Sequence, residues 1–220
     1  MDLVGQATER TTAATDALLA VAALAVVVAL RRRTPASFGR SVWLAALVCM
    51  VLASAIGAAA HGLALSDGVR ELLWQPLYLA LGVTMALFVV GAARDWRGDR
   101  AGRRLLPPML FAALAFYGIT RATGGDFLAF VLFEAVALGF ALGVYAWLAA
   151  RQGRPGAAAM AAALAVSLAA GAVQAADVGT VRLLWDFDHN GLFHLVQLAG
   201  LALLAAGLRR SLRHPAPEAS

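Results

Sequence analysis

The chain has 220 residues, 61% of them apolar and 14% charged, with a formal net charge of +5. A mean hydropathy of +0.76 and a charged fraction far below the roughly 25% of soluble domains exclude a soluble globular protein. Seven apolar spans of about 20 residues would use nearly the whole length, leaving no separate soluble domain. Nor does the basic balance point to nucleic acid, because the arginines sit in short loops and do not alternate with aromatic residues.

Residues 1–13 precede the first span. They carry Asp2, Glu9 and Arg10 where a secretion signal would be basic, and Arg31, Arg32 and Arg33 follow the first apolar run where a cleavage site needs small residues. That run, 14–30, is therefore expected to be a span of the mature protein, opening on Asp16. The second span, 42–65, holds the single cysteine, Cys49, read as a small packed apolar residue. Ser54 and His61 are seven apart and share one of its helical faces, and Gly57 and Gly62 leave room beside the imidazole for a helix or a ligand. The third span, 72–93, opens on Gln75 and Tyr78. The fourth, 105–120, is short, with Pro107 and Pro108 expected in a first turn where a missing N–H needs no partner.

The fifth span, 127–149, is preceded by Asp126 and carries Glu134 two turns in. The sixth, 156–176, is mostly Ala and Gly, which lets backbones approach closely and predicts a central helix. Ser167, Gly171 and Gln174 share a face there, and Asp177 follows. The loop Asp186, Phe187, Asp188, His189 leads into the seventh span, 190–208, where Asn190, His194 and Gln197 fall at i, i+4 and i+7. Residues 209–220 are a basic tail. The fold class expected is all-α: a polytopic seven-helix membrane bundle spanning 14–208, without the inverted repeats of many transporters.

Arginine sets the orientation. Arg31, Arg32, Arg33, Arg40, Arg94, Arg97, Arg100, Arg103, Arg104, Arg151, Arg154, Arg209, Arg210 and Arg213 lie on one side; Arg10, Arg70, Arg121 and Arg182 lie on the other. The larger set marks the cytoplasmic face, with the N-terminus outside and the C-terminus inside. Trp43, Trp74, Trp96, Trp147 and Trp185 sit at or beyond span ends, where their rings are expected in the headgroup layer. The chain has no lysine, which excludes a retinal Schiff base, and arginine without lysine in an alanine-rich chain fits a bacterial cytoplasmic membrane.

With this topology the polar residues of the spans gather at the outer end. They are Asp16, Ser54, His61, Gln75, Tyr78, Asp126, Glu134, Gln174, Asp177, His189, Asn190, His194 and Gln197. The inner half shows little comparable, which argues against a proton relay through Glu134. Plainer roles exist: Asp188 or Asn190 as a helix cap, Asp16 beside a helix dipole, Glu134 paired with Arg121 or as a protonated carboxyl bonded across helices.

His61-Gly62, together with the run Asp188, His189, Asn190, Gly191, Leu192, Phe193, His194, Leu195, Val196, Gln197, resembles an uncharacterised family of small bacterial seven-helix proteins. More distantly it is similar to the superfamily of alkaline ceramidases and progestin/adiponectin receptors. That resemblance implies a zinc site built from the second and seventh helices and amide hydrolysis of lipids. His61 and His194 carry over; Gly57 stands where the superfamily has serine, and Asn190 where it has a histidine. Zinc ligands would then be His61, His194 and either His189 or Glu134, with Asp16 or Asp126 as general base or orienting group. The alternatives are a non-enzymatic membrane protein whose outer pocket binds a lipid or other small molecule, and a b-type haem protein with His61 and His194 as axial ligands. All of these readings require the second and seventh spans to be neighbours.

Overall fold

The computed structural model describes residues 3–125, 127–176 and 179–213. The expectations placed on Asp126 and Asp177 fall outside those residues. Within them seven helices and one short hairpin follow in order: α1 (Ala7–Arg33), α2 (Phe38–Gly62), α3 (Asp67–Arg97), α4 (Asp99–Ala122), α5 (Phe127–Gln152), α6 (Ala157–Ala175), β1 (Val181–Arg182), β2 (Asp186–Phe187) and α7 (His189–Ser211). Each of the seven helices is long and apolar enough to cross a membrane.

Every predicted span maps onto one helix, but the helices outrun the apolar runs. α1 continues through Arg31, Arg32 and Arg33, and Arg94 and Arg97 form the last turn of α3. Arginine is a good helix former, and its charge suits the negative end of a helix dipole. α2 instead stops short of residue 65. Leu63 is extended, and the chain ahead of α1 pairs with it: Val4 N–H donates to the Gly62 carbonyl at 3.1 Å. α4 corrects a further expectation. It starts at Asp99, so Pro107 and Pro108 lie inside the helix and not in its first turn. The carbonyls they leave without a donor belong to Arg103 and Arg104, both exposed, where solvent or headgroups satisfy them.

Six helices close a ring: α1 on α2, α2 on α3, α3 on α5, α5 on α6, α6 on α7 and α7 on α1. α4 lies outside it, mainly against α3. The most enclosed helix is α3, with 72% of its apolar segment buried against 17% for α4. α6 is therefore not central. It packs most extensively on α7, whose own glycines make room for it: Gly207 faces Met160 and Gly200 faces the Ser167 hydroxyl. Nor do α2 and α7 pack side by side, because α1 stands between them and touches both.

The arginine-rich end is not empty of buried polar groups, contrary to the expectation for that half. Asp95 and Arg94 are both buried near the end of α3. Arg94 Nη1 donates to Asp95 Oδ1 at 2.8 Å and its Nε to Asp99 Oδ1 at 2.7 Å. The Tyr145 hydroxyl donates to Asp95 Oδ2 at 2.6 Å, and Arg154 Nη1 to the Asp95 carbonyl at 2.5 Å. Trp43 lies nearby at 0% exposure, edge-on to Phe88 with ring centroids 5.1 Å apart. Its ring fills a slot left by Gly91, so it is a core residue and not a headgroup anchor.

Candidate functional site

The opposite end of the ring encloses a cavity of about 130 Å³ whose lining comes from α1, α2, α3, α5, α6 and α7, but not from α4. Leu19, Met50, Ala53, Leu77, Leu81 and Met85 supply much of its wall. Its polar groups depend on how α1 meets α7. α1 begins two turns before the predicted span, which brings Glu9, Thr12 and Asp16 into the bundle at i, i+3 and i+7. Asp188 caps α7, accepting from Gly191 N–H at 2.8 Å, and the same carboxylate oxygen accepts from the Thr12 hydroxyl at 2.8 Å. Thr11 donates to the Asp186 carbonyl at 2.7 Å, so the β1–β2 hairpin and the start of α7 are fixed to α1. Asp188→Ala removes cap and tie together. Its expected cost is about 1–2 kcal/mol, read as a lower unfolding midpoint in detergent; an unchanged midpoint would show the tie to be idle.

Two imidazoles face the cavity, each bonded to a carboxyl group. His194 places Nδ1 3.2 Å from the Thr15 hydroxyl and Nε2 3.2 Å from Asp16 Oδ1. The Thr15 hydroxyl also reaches the Thr12 carbonyl at 2.9 Å, and the direction of its bond with Nδ1 follows the His194 tautomer. Asp16 is 4% exposed, and its other oxygen rests against Gly57, where no side chain intervenes. His61 Nδ1 lies 2.7 Å from Glu9 Oε2, and its ring meets Trp74 edge-on at 5.3 Å. Glu134 is different. It is 5% exposed, lines the cavity and rests against Gly171, and among the described residues it has no hydrogen bond or ion pair, with Arg121 or any other group.

The other residues singled out from the sequence divide cleanly. Ser54, Tyr78, Gln174, Asn190 and Gln197 line the cavity. Gln174 Nε2 donates to Asn190 Oδ1 at 2.9 Å, and the Tyr78 hydroxyl to the Gly125 carbonyl at 3.1 Å. Gln197 Oε1 is buried without a partner. Gln75 and His189 are not part of the wall; Gln75 Nε2 turns back to the Glu71 carbonyl at 3.3 Å. Sequence reasoning missed Glu9, Thr12, Thr15 and Trp74. The helical spacing of the first three was the available signal, with Glu9 and Thr12 hidden because the span was started at its first apolar residue.

Catalytic zinc sites use three protein ligands plus a water. Among the described residues no three His, Cys, Asp or Glu side chains are grouped to hold a metal ion. The reason is local. Both nitrogens of His194 face Thr15 and Asp16, one of His61 faces Glu9, and His189 lies outside the cavity wall. The donors as placed do not fit zinc.

Fold and site together define an all-helical bundle of membrane-spanning capacity with a mostly apolar cavity at one end that holds a few buried polar groups. The chain belongs to a family of unknown function, DUF6962, whose model matches residues 11–213 and so includes every cavity-lining residue. No curated protein and no solved structure matches it, and the comparisons lend no support to a likeness with the ceramidases.

Proposed function

We propose that this is a multi-pass membrane protein that binds a small, largely apolar molecule in the cavity formed by α1, α2, α3, α5, α6 and α7. By the distribution of arginines, the arginine-rich end faces the cytoplasm and the cavity opens the outer half of the bundle, in a bacterial cytoplasmic membrane. The observation that carries the reading is an apolar-walled space containing buried polar groups whose hydrogen bonding is incomplete. Ionisable residues inside membrane helices are costly and mark ligand or ion sites, and apolar pockets with a few placed polar groups are the usual form of small-molecule sites. Amide hydrolysis has less behind it, since the metal ligands it needs do not converge.

A ring-sized neutral probe tests this, because a cavity of about 150 Å³ admits benzene. Benzyl alcohol at ten times its Kd stabilises a one-site protein by about 1.4 kcal/mol, or about 3–6 °C in midpoint for a chain of this size. Ala53→Leu fills part of the wall and is expected to abolish that shift. Partitioning of the probe into the bilayer affects both proteins alike, so the difference between them is the readout. Equal shifts in wild type and Ala53→Leu overturn the proposal.

A further inference from the structure

Three carboxyl groups line the cavity or bond one of its imidazoles, and two of them are paired: Glu9 with His61, and Asp16 with His194. The third, Glu134, is left over. No lysine exists in the chain, and no arginine lines the cavity. A buried carboxylate without a counter-charge is unfavourable by several kcal/mol, and nothing among the described residues offsets it. Gly171 leaves the Glu134 carboxyl its space: a Cβ there would lie 3.0 Å from Oε2.

The remaining unpartnered groups agree in kind. Gln197 Oε1 is a buried acceptor with no donor, and the Ser54 hydroxyl can accept. The wall also carries Tyr78, Phe130 and Phe193, whose ring faces attract cations. Acceptors in surplus, aromatic rings and no basic side chain left free of a carboxyl partner call for a ligand that brings positive charge and N–H donors. An ammonium has these and no acceptor capacity of its own.

We infer that the cavity is a site for a small amine, its apolar body among Tyr78, Phe130 and Phe193 and its ammonium paired with Glu134. The inference rests on the small-molecule reading above and adds the chemical class. An anion in the same space would face Glu134 with no arginine or lysine in the wall, and both imidazoles already have carboxyl partners.

The test uses the full chain in lipid nanodiscs with three probes of one ring size: benzylamine, cationic at neutral pH, benzyl alcohol and benzoate. Benzylamine is expected to bind wild type about tenfold or more tighter than benzyl alcohol, the worth of one hydrogen bond to a charged group, and benzoate not to bind. In Glu134→Gln the benzylamine advantage falls to about twofold or less, while benzyl alcohol still shifts the midpoint and so reports an intact cavity. If benzyl alcohol binds but benzylamine is no tighter, or if Glu134→Gln keeps the tenfold preference, the amine assignment fails and the cavity reading stands. If no probe distinguishes wild type from Ala53→Leu, both fail.

Discussion

Asp95→Ala is expected to lower the stability of the bundle by about 3–5 kcal/mol, the range for removing one partner of a buried ion pair. Asp95 is 2% exposed and serves three elements at once: its carboxylate accepts from Arg94 of α3 and Tyr145 of α5, and its carbonyl from Arg154 ahead of α6. Alanine leaves the Arg94 guanidinium buried with only Asp99 to meet it, and strands the Tyr145 hydroxyl. Gly39 and Gly102 hold Arg94 in place, since a Cβ on Gly39 would lie 2.6 Å from its Cζ, so the cation has no easy way out. The check is a denaturant titration in mixed micelles with the paired variant Arg94→Met/Asp95→Ala beside it. Removing both charges is expected to recover most of the loss, because the cost comes from the uncompensated charge and not from the missing attraction. A single-variant loss below about 1 kcal/mol would mean that water already reaches the pair, and the cluster would then be no anchor for α3.

That cluster also shows where sequence reading ran out. Arg94 and Asp95 are neighbours at the end of an apolar run, a place where charges are ordinarily solvated. Their burial depends on Gly39 of α2 and Gly102 of α4, which are remote in the chain. Trp43 misled for the same reason. Its position at a span end suits a headgroup anchor, but Gly91 of α3 opens a slot that takes the ring into the core. The seven helices themselves were legible, because a membrane-crossing helix must be a long apolar run whatever it packs against. Their order around the ring was not. The alanines and glycine of α6 specify close approach but not to which helix, and the structure sets α6 against both α7 and α5, with Gly171 beside Glu134 of α5.

At the site the periodic part was readable. Ser54 with His61, and Asn190 with His194 and Gln197, were placed on common faces by spacing, and all five line the cavity. Of the partners of the histidines only Asp16 was readable, because α1 stands between α2 and α7 and supplies Glu9 from a polar stretch ahead of its apolar run, with Thr15 and Asp16 at the start of that run.

Gly57→Ala is expected to destabilise the protein by about 2–3 kcal/mol, although alanine normally favours a helix interior over glycine by about 1 kcal/mol. The added methyl would sit 2.5 Å from Asp16 Oδ2 and 3.0 Å from its Cγ. The carboxyl cannot simply swing aside, because its other oxygen is held 3.2 Å from His194 Nε2. Either α1 moves away from α2, which overpacking studies put at about 1–3 kcal/mol, or the Asp16–His194 bond breaks inside the cavity wall. Asp16→Ala removes the obstacle, and in that background Gly57→Ala should change sign and stabilise by up to about 1 kcal/mol through helix propensity alone. The coupling between the two positions is then about 3 kcal/mol, at the top of the range for residues in direct contact. Additive effects of the two substitutions would place Asp16 away from Gly57, and with it detach His194 from α1. The cavity would lose the carboxyl that pairs its second imidazole, and Glu134 would no longer be the odd group out.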